Sequence, residues 1–393
     1  MSTTPRASLL LLAYLAFVSL GLPDGLLGVG WPSMRSEFGV PTEAVGLVLT
    51  ALTTGYLTSS VVAGFSIARL GVGRLLALST VLASLSLTGW ALSPGLLPVI
   101  GCALALGLGS GAIDSGLNAY AAGAFGPRHM NWLHAFFGLG VALGPLIMTA
   151  VIGAGLSWRW GYGLVAAGQL ALATAFALTV RAWRDRGAGA PTEPGQAVAV
   201  PVRETLRLPA VWLGALAFLV YVSIEFGAGL WAFLLLTEGR GLGAAVAGIC
   251  VSGYWTSLFL GRVVQGMAAE RFGSALVLRG SLVGLVVGAV LIAIPGPAWL
   301  AVVGLAVVGF AAAPVFPLLT LTTVDRVGVR HVDRTIGVQI GIAGIGGAVG
   351  PTAIGVLIAR TSVEALGPAL VVLTLGLLAL HAAATRRPAP QPA

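Results

Sequence analysis

The sequence predicts an all-α membrane protein of about twelve transmembrane helices, arranged as two six-helix halves related by pseudo-symmetry, and three observations carry that prediction. Charged residues make up only 9% of the chain against 57% hydrophobic, where a soluble domain carries roughly 25% charged residues. Apolar runs of about 20 residues, the length needed to cross a bilayer, follow one another almost end to end. Two glycine-centred motifs also recur in the second half of the chain at nearly one offset.

The runs place spans at 8–32, 43–67, 74–93, 97–123, 131–154, 160–181, 209–236, 244–268, 274–294, 298–323, 335–359 and 365–384. Most separators are short and carry turn chemistry, as in Ser93-Pro94-Gly95 and Pro295-Gly296-Pro297. The first run is too long for a signal-peptide core, holds Asp24 and lacks a clean small-residue cleavage site, so it is expected to stay as a span. The exception among the separators is 182–208, where Arg184, Asp185, Arg186, Pro191, Glu193, Pro194, Gln196, Pro201, Arg203, Glu204 and Arg207 make a solvated linker. The expected organisation is a six-helix bundle over 1–181, a cytoplasmic linker over 182–208, and a second bundle over 209–393 that ends in a short cytoplasmic tail.

Every basic residue other than histidine is an arginine. One set of alternate loops holds Arg6, Arg69, Arg74, Arg128, Arg181, Arg184, Arg186, Arg203, Arg207, Arg271, Arg326, Arg330, Arg334, Arg386 and Arg387; the other holds Arg35, Arg159, Arg240 and Arg360. Fifteen against four puts both termini and the linker in the cytoplasm of a plasma (inner) membrane protein. Arginines spread over short loops are a topology signal rather than a nucleic-acid surface. Glycine is frequent, at 57 residues, because small residues let membrane helices approach closely. Cys102 and Cys250 lie far apart in apolar runs and form no metal or disulfide spacing. No phosphate loop, H-E-x-x-H or G-x-S-x-G is present, which argues against an ATP-driven pump and the commonest intramembrane hydrolases. No cofactor, metal or enzymatic activity is called for.

The halves repeat. Gly64-Phe-Ser-Ile-Ala-Arg69-Leu-Gly71 after span 2 matches Gly266-Met-Ala-Ala-Glu-Arg271-Phe-Gly273 after span 8, as G-x-x-x-x-R-x-G. Span 5 carries Gly140-Val-Ala-Leu-Gly144-Pro145 and span 11 carries Gly346-Gly-Ala-Val-Gly350-Pro351, as G-x-x-x-G-P. Parallel six-span halves around a midplane site are a transporter architecture.

On these residues the chain resembles the major facilitator superfamily over essentially its whole length, which implies the major facilitator fold. Its G-x-x-x-D-R-x-G-R-type motif reads here as Gly64, Ala68, Arg69, Gly71 and Arg74, with alanine at the acidic position. The second copy, Gly266, Glu270, Arg271 and Gly273, keeps an acid. In the family that acid helps latch the halves on the cytoplasmic side, so Glu270 is the candidate for that part. Within the superfamily the chain looks most like the fucose permease-like branch, which includes proton-coupled sugar symporters. The residues carrying this are Gly21-Leu-Pro-Asp24-Gly25 with Trp31-Pro32, Gly111-Ala-Ile-Asp114-Ser-Gly-Leu-Asn118, Asn131-Trp-Leu-His134 with Phe137-Gly138, and Glu225-Phe-Gly-Ala-Gly-Leu-Trp231.

Of thirteen acidic residues, Asp24, Asp114 and Glu225 alone sit well inside apolar runs. A charge at a span centre costs about 2.5–3.5 kcal/mol on insertion scales, so each should face water or a partner, or be protonated. Low dielectric favours the neutral acid, and a carboxyl group that alternates between both forms is what proton coupling requires. Asp24 follows Pro23, which removes a helix hydrogen bond and kinks the span. It either serves the freed backbone or binds a proton or the solute; the resemblance implies coupling by an acid in span 1 and a functional acid in span 4. Asp114 and Asn118 share a helix face and together suit a hydroxylated ligand, or an inter-helix hydrogen bond. His134 either relays protons or bridges to span 4, with Asn131 three residues away. Glu225, with Tyr221 and Trp231 nearby, could meet a sugar face, as could Tyr254 and Gln339; each could equally be packing. Arg262 reads as snorkelling to the interface, and His129 as loop. Pro314 and Pro317, framing Phe316, imply a broken or kinked helix in the tenth span.

The expected function is proton-coupled symport of a sugar or similar small polar solute by alternating access. The alternative is proton-coupled efflux (antiport) of a drug or metabolite, suggested by G-x-x-x-G-P in span 5. Expected partners are the small-molecule substrate, the lipid bilayer and protons, with sodium equally suited to carboxylates, and no nucleic acid.

Overall fold

The structure, a computed structural model, describes residues 7–125, 127–183 and 201–385. Those residues are helical wherever they are regular and contain no strand. Hydrocarbon imposes this, because a helix satisfies its backbone groups internally where water cannot. They form two compact units, one on either side of residues 184–200.

The first unit holds α1 (Ala7–Phe38), α2 (Val45–Leu70), α3 (Val72–Leu92), α4 (Leu96–Ala124), α5 (Pro127–Gly153) and α6 (Arg159–Thr179). The second holds the short α7 (Val202–Leu206), then α8 (Pro209–Leu234), α9 (Ala244–Phe272), α10 (Ser274–Ala293), α11 (Ala298–Ala312), α12 (Val315–Leu321), α13 (Val324–Val327), α14 (Val332–Arg360) and α15 (Leu366–Thr385). Among the described residues, twelve segments are long and apolar enough to span a bilayer, in the order the apolar runs predict. Of the expected linker, residues 184–200 lie outside the described residues, as do Arg6 and the tail from Arg386 on. Val202–Leu206, within that linker, is a helix packed against α8 and α14.

Where ends differ from prediction, helicity outlasts hydrophobicity. α1 continues to Phe38 through the polar turn Ser33 to Glu37, which no hydropathy window detects. α8 continues through a π-helical turn, Leu235–Gly239. The tenth span breaks at Pro314, between α11 and α12. Pro317 falls in the first turn of α12, where its missing N–H costs little.

Exposed positions along the spans are apolar, among them Val61, Leu85, Leu178 and Val372. Exposed apolar side chains on every span are the inverse of a soluble surface and mark a lipid-facing one.

The repeat becomes a repeated pairing. α1 packs on α5, α2 on α4 and α3 on α6; α8 packs on α14, α9 on α11 and α10 on α15. The glycines of G-x-x-x-G-P seat these pairs. A Cβ at Gly140 would strike the Val18 backbone, and one at Gly144 would lie 2.7 Å from the Gly25 Cα. In the second unit Gly346 meets the Leu219 backbone and Gly350 meets Ser223. The motif thus has a packing role, close approach of helices at its glycines.

Gly144→Ala is therefore expected to destabilise the first unit by about 1–3 kcal/mol, the usual effect of overpacking, because the obstructing atoms are backbone and cannot rotate away. Thermal unfolding of the detergent-solubilised protein checks this. Gly64→Ala, inside α2 where a Cβ meets nothing within 4 Å, is the matched control and should unfold no earlier than the wild type, since alanine is the better helix former.

Candidate functional site

Pro23 in α1 has no N–H, so the Ser19 carbonyl one turn earlier loses its helical donor. The side chain of Gln169 from α6 supplies a replacement, Nε2 donating to Ser19 O at 3.3 Å. The open question about Asp24 is thereby narrowed. An ionised carboxylate has no hydrogen to offer a carbonyl, and the backbone is already served. Asp24 is half-buried and has no hydrogen bond or ion pair among the described residues. The Tyr56 and Tyr162 hydroxyls lie within its electrostatic reach. Tyr162 is fully buried, stacks on Trp90 with ring centroids 4.9 Å apart, and its hydroxyl has no hydrogen-bond partner among the described residues.

Asp114 on α4 is differently situated. Tyr56 Oη of α2 donates to Asp114 Oδ2 at 2.6 Å. Asn118, one turn along α4, donates through Nδ2 to Asp114 Oδ1 at 2.9 Å. Both carboxylate oxygens are thus engaged within the protein. His134 on α5 is exposed, lies edge-on to Phe17 at 5.5 Å, and acts electrostatically on Asp114. The Asn131 side chain lies outside the described residues. His129 is not loop: it lies in the first turn of α5, with Nδ1 2.7 Å from Tyr14 Oη.

In the second unit Glu225 is buried, at 7% exposure, and pairs with Arg262, Nη2 to Oε1 3.5 Å. Arg262 therefore turns inward to a carboxylate instead of snorkelling to the interface. Low dielectric explains it: an uncompensated buried carboxylate is far more costly than a guanidinium drawn inward. Tyr221, Trp231, Tyr254 and Gln339 are all buried to 1% exposure or less. Tyr221 Oη donates to Ala312 O at 3.1 Å, Trp231 Nε1 to Pro351 O at 2.8 Å and Tyr254 Oη to Glu225 O at 2.8 Å. Gln339 Oε1 accepts from Thr323 Oγ1 at 3.0 Å. These four side chains hold helices together in this structure. Phe310 O, freed by Pro314, is met by Gln265 Nε2 at 2.5 Å, repeating the glutamine repair seen at Pro23.

The loop motif has a local reason. Gly71 and Gly273, at φ +72° and +86°, turn the chain between consecutive spans in a conformation that favours glycine. Gly64 and Gly266 are open on the Cβ side. Arg69 lies over the Phe65 ring at 4.2 Å and Arg271 over Phe272 at 5.4 Å, while Arg74 and Glu270 are exposed.

Tyr56 is the residue hardest to find by composition, yet the repeat marks it. Gly55-Tyr-Leu-Thr-Ser59 recurs as Gly253-Tyr-Trp-Thr-Ser257. The same register sets Asp114 against Ala312. The second copy thus keeps the phenol but has lost the acid, so the two units are chemically unlike at equivalent places.

The pattern of residues 13–266, and again of 228–393, matches the Major Facilitator Superfamily. The chain belongs to the major facilitator superfamily. It is thus a multi-pass membrane transporter of small molecules and not an enzyme. It is 22% identical over 350 residues to the "Glucose/mannose transporter GlcP" of Bacillus subtilis (strain 168), covering 86% of this chain and 85% of that one. Its fold matches a point mutant of the nucleoside transporter NupG with a TM-score of 0.78 at 15% identity, over 96% of this chain and 99% of the other. It also matches a point mutant of the Escherichia coli fucose:proton symporter FucP with a TM-score of 0.64 at 14% identity, again over 96% and 99%. The fold is common to all of these.

Proposed function

We propose that this transporter works by alternating access and carries a sugar or similar small polar solute together with protons. Asp24 and Asp114 are the coupling acids, His134 assists at Asp114, and Asn118 and Asn131 are the candidate solute contacts. Glu225, held by Arg262, takes a structural part, along with Tyr221, Trp231, Tyr254 and Gln339. The observation that carries the reading is Asp24: a carboxyl group next to a proline inside the continuous helix α1, without a protein partner among the described residues, and sharing Tyr56 as an electrostatic neighbour with Asp114, an acid whose partners are a phenol and an amide. A group that keeps its cost of burial without a structural use is best explained by loading and release of a cation. The relatives support the class of solute, since one is named for glucose and mannose, one for fucose and protons, and one for nucleosides. The arginine bias favours termini and linker in the cytoplasm of the inner membrane.

The test is uptake into proteoliposomes of a panel of labelled hexoses, deoxyhexoses and nucleosides under an imposed inward proton gradient. At least one should accumulate above its external concentration, and the protonophore-treated vesicles should not accumulate it. Accumulation that follows an imposed sodium gradient instead would assign the coupling ion to sodium. Solute expelled against its gradient as protons enter would overturn symport in favour of antiport.

A further inference from the structure

Two arginines and a histidine converge at one end of the second unit, and neither arginine has an ion pair among the described residues. Arg326 on α13 is buried to 9% exposure. Its one hydrogen bond among the described residues is neutral, Nη2 donating to Thr322 Oγ1 at 2.9 Å, and it has no ion pair there. Asp325, the neighbouring carboxylate that acts on it electrostatically, is exposed and does not pair with it. His381 on α15 is likewise buried to 9% exposure, and its Nδ1 is enclosed without a hydrogen-bond partner among the described residues. The charges acting on the His381 ring are Arg326 and Arg279, the latter exposed on the second turn of α10. α10 packs on both α12 and α15, which brings the three side chains to the span ends that lead into the arginine-rich loops.

This arrangement is hard to explain as packing alone. Burying a guanidinium without a counter-charge costs several kcal/mol, and an enclosed imidazole nitrogen without a partner adds an unmet polar group. An arginine presents five N–H donors in a fork suited to an oxyanion, and one is used here. We propose that Arg326, His381 and Arg279 form a binding site for a phosphate oxyanion at the headgroup level of the membrane. Arg326 holds the anion from within, His381 donates from Nδ1, and Arg279 contacts it at the exposed rim. The chemistry is that of a phosphate group, whether on an anionic phospholipid headgroup or free in solution. An anionic lipid is the closer source, since negative headgroups concentrate at the membrane face toward which basic residues are drawn.

The test uses the purified full-length protein, stripped of lipid in detergent. Its melting temperature is followed during titration with short-chain phosphatidylglycerol, short-chain phosphatidylcholine or inorganic phosphate, with sodium chloride matching ionic strength. Phosphatidylglycerol should stabilise the wild type at concentrations where phosphatidylcholine does not. If inorganic phosphate does the same at similar concentration, the site stands and its ligand is a soluble oxyanion; if it does not, the ligand is the lipid. Arg326→Gln should raise the half-maximal concentration about tenfold or more, as loss of a charge-assisted hydrogen bond implies. Without ligand the same variant should melt no lower than the wild type, because a buried uncompensated charge has gone, and a purely structural arginine would not behave so. Arg279→Gln, at the exposed rim, carries the binding test independently should Arg326→Gln fail to purify. No stabilisation beyond phosphatidylcholine and salt, or equal stabilisation of the wild type and both variants, overturns the proposal.

Discussion

Asp24→Asn is expected to collapse solute accumulation to the external concentration while leaving the protein inserted and able to bind solute. One proton moved across 100 mV is worth about 2.3 kcal/mol, which corresponds to about a fifty-fold accumulation ratio for one proton per solute. Asparagine keeps the size of the side chain but cannot lose or gain the proton, so the ratio should fall to about one. Because Asp24 has no partner among the described residues, nothing else need break. Exchange of labelled for unlabelled solute, which needs no net proton movement, should therefore continue at near the wild-type rate. Asp114→Asn differs, since the amide nitrogen that replaces one oxygen cannot accept from either Tyr56 Oη or Asn118 Nδ2. That variant should lose accumulation and also exchange more slowly. An Asp24→Asn protein that still concentrates solute about fifty-fold would remove Asp24 from the coupling path.

Breaking the Glu225–Arg262 pair from the arginine side should be the most damaging single change to stability. Arg262→Met leaves a carboxylate of 7% exposure without its counter-charge, and removing one partner of a buried pair costs about 3–5 kcal/mol. The arginine side chain is 27% exposed, so water softens the loss toward the lower figure. Removing both charges together, Glu225→Gln with Arg262→Met, should recover most of it, since well-packed neutral replacements are often no worse than the pair. Thermal unfolding of the two singles and the double measures this as a cycle. The double variant also decides what Glu225 does. If it serves structure, the double variant should retain proton-driven accumulation; if it carries protons, accumulation should fall as in Asp24→Asn.

The sequence is informative about spans because the bilayer has one thickness, so a run such as Val72 to Leu92 has one explanation wherever it occurs. It is silent about α1 beyond Trp31-Pro32, where Ser33 to Glu37 stay helical without being apolar. Pro314 signals a break correctly because a missing N–H acts locally. Gln169 and Gln265 cannot be assigned in the same way. They repair breaks on other helices, at Ser19 O and Phe310 O, and only the helix pairing brings them there. Arg262 is the plainest case: its place near the end of a span suits an interfacial role, and an acid on another helix draws it inward.

Hydropathy, arginine bias and the two repeated motifs, all properties of the chain read along its length, were enough to determine a twelve-span helical bundle in two matched halves and to single out three membrane carboxylates. They could not rank those carboxylates, because Asp24, Asp114 and Glu225 look alike as acids in apolar runs. Tertiary structure separates them: one is unpartnered among the described residues, one is hydrogen-bonded at both oxygens, and one is ion-paired. The physical reason is that the state of a buried charge depends on what other helices bring to within about 3–4 Å of it, and that distance is set by packing between segments far apart in the chain.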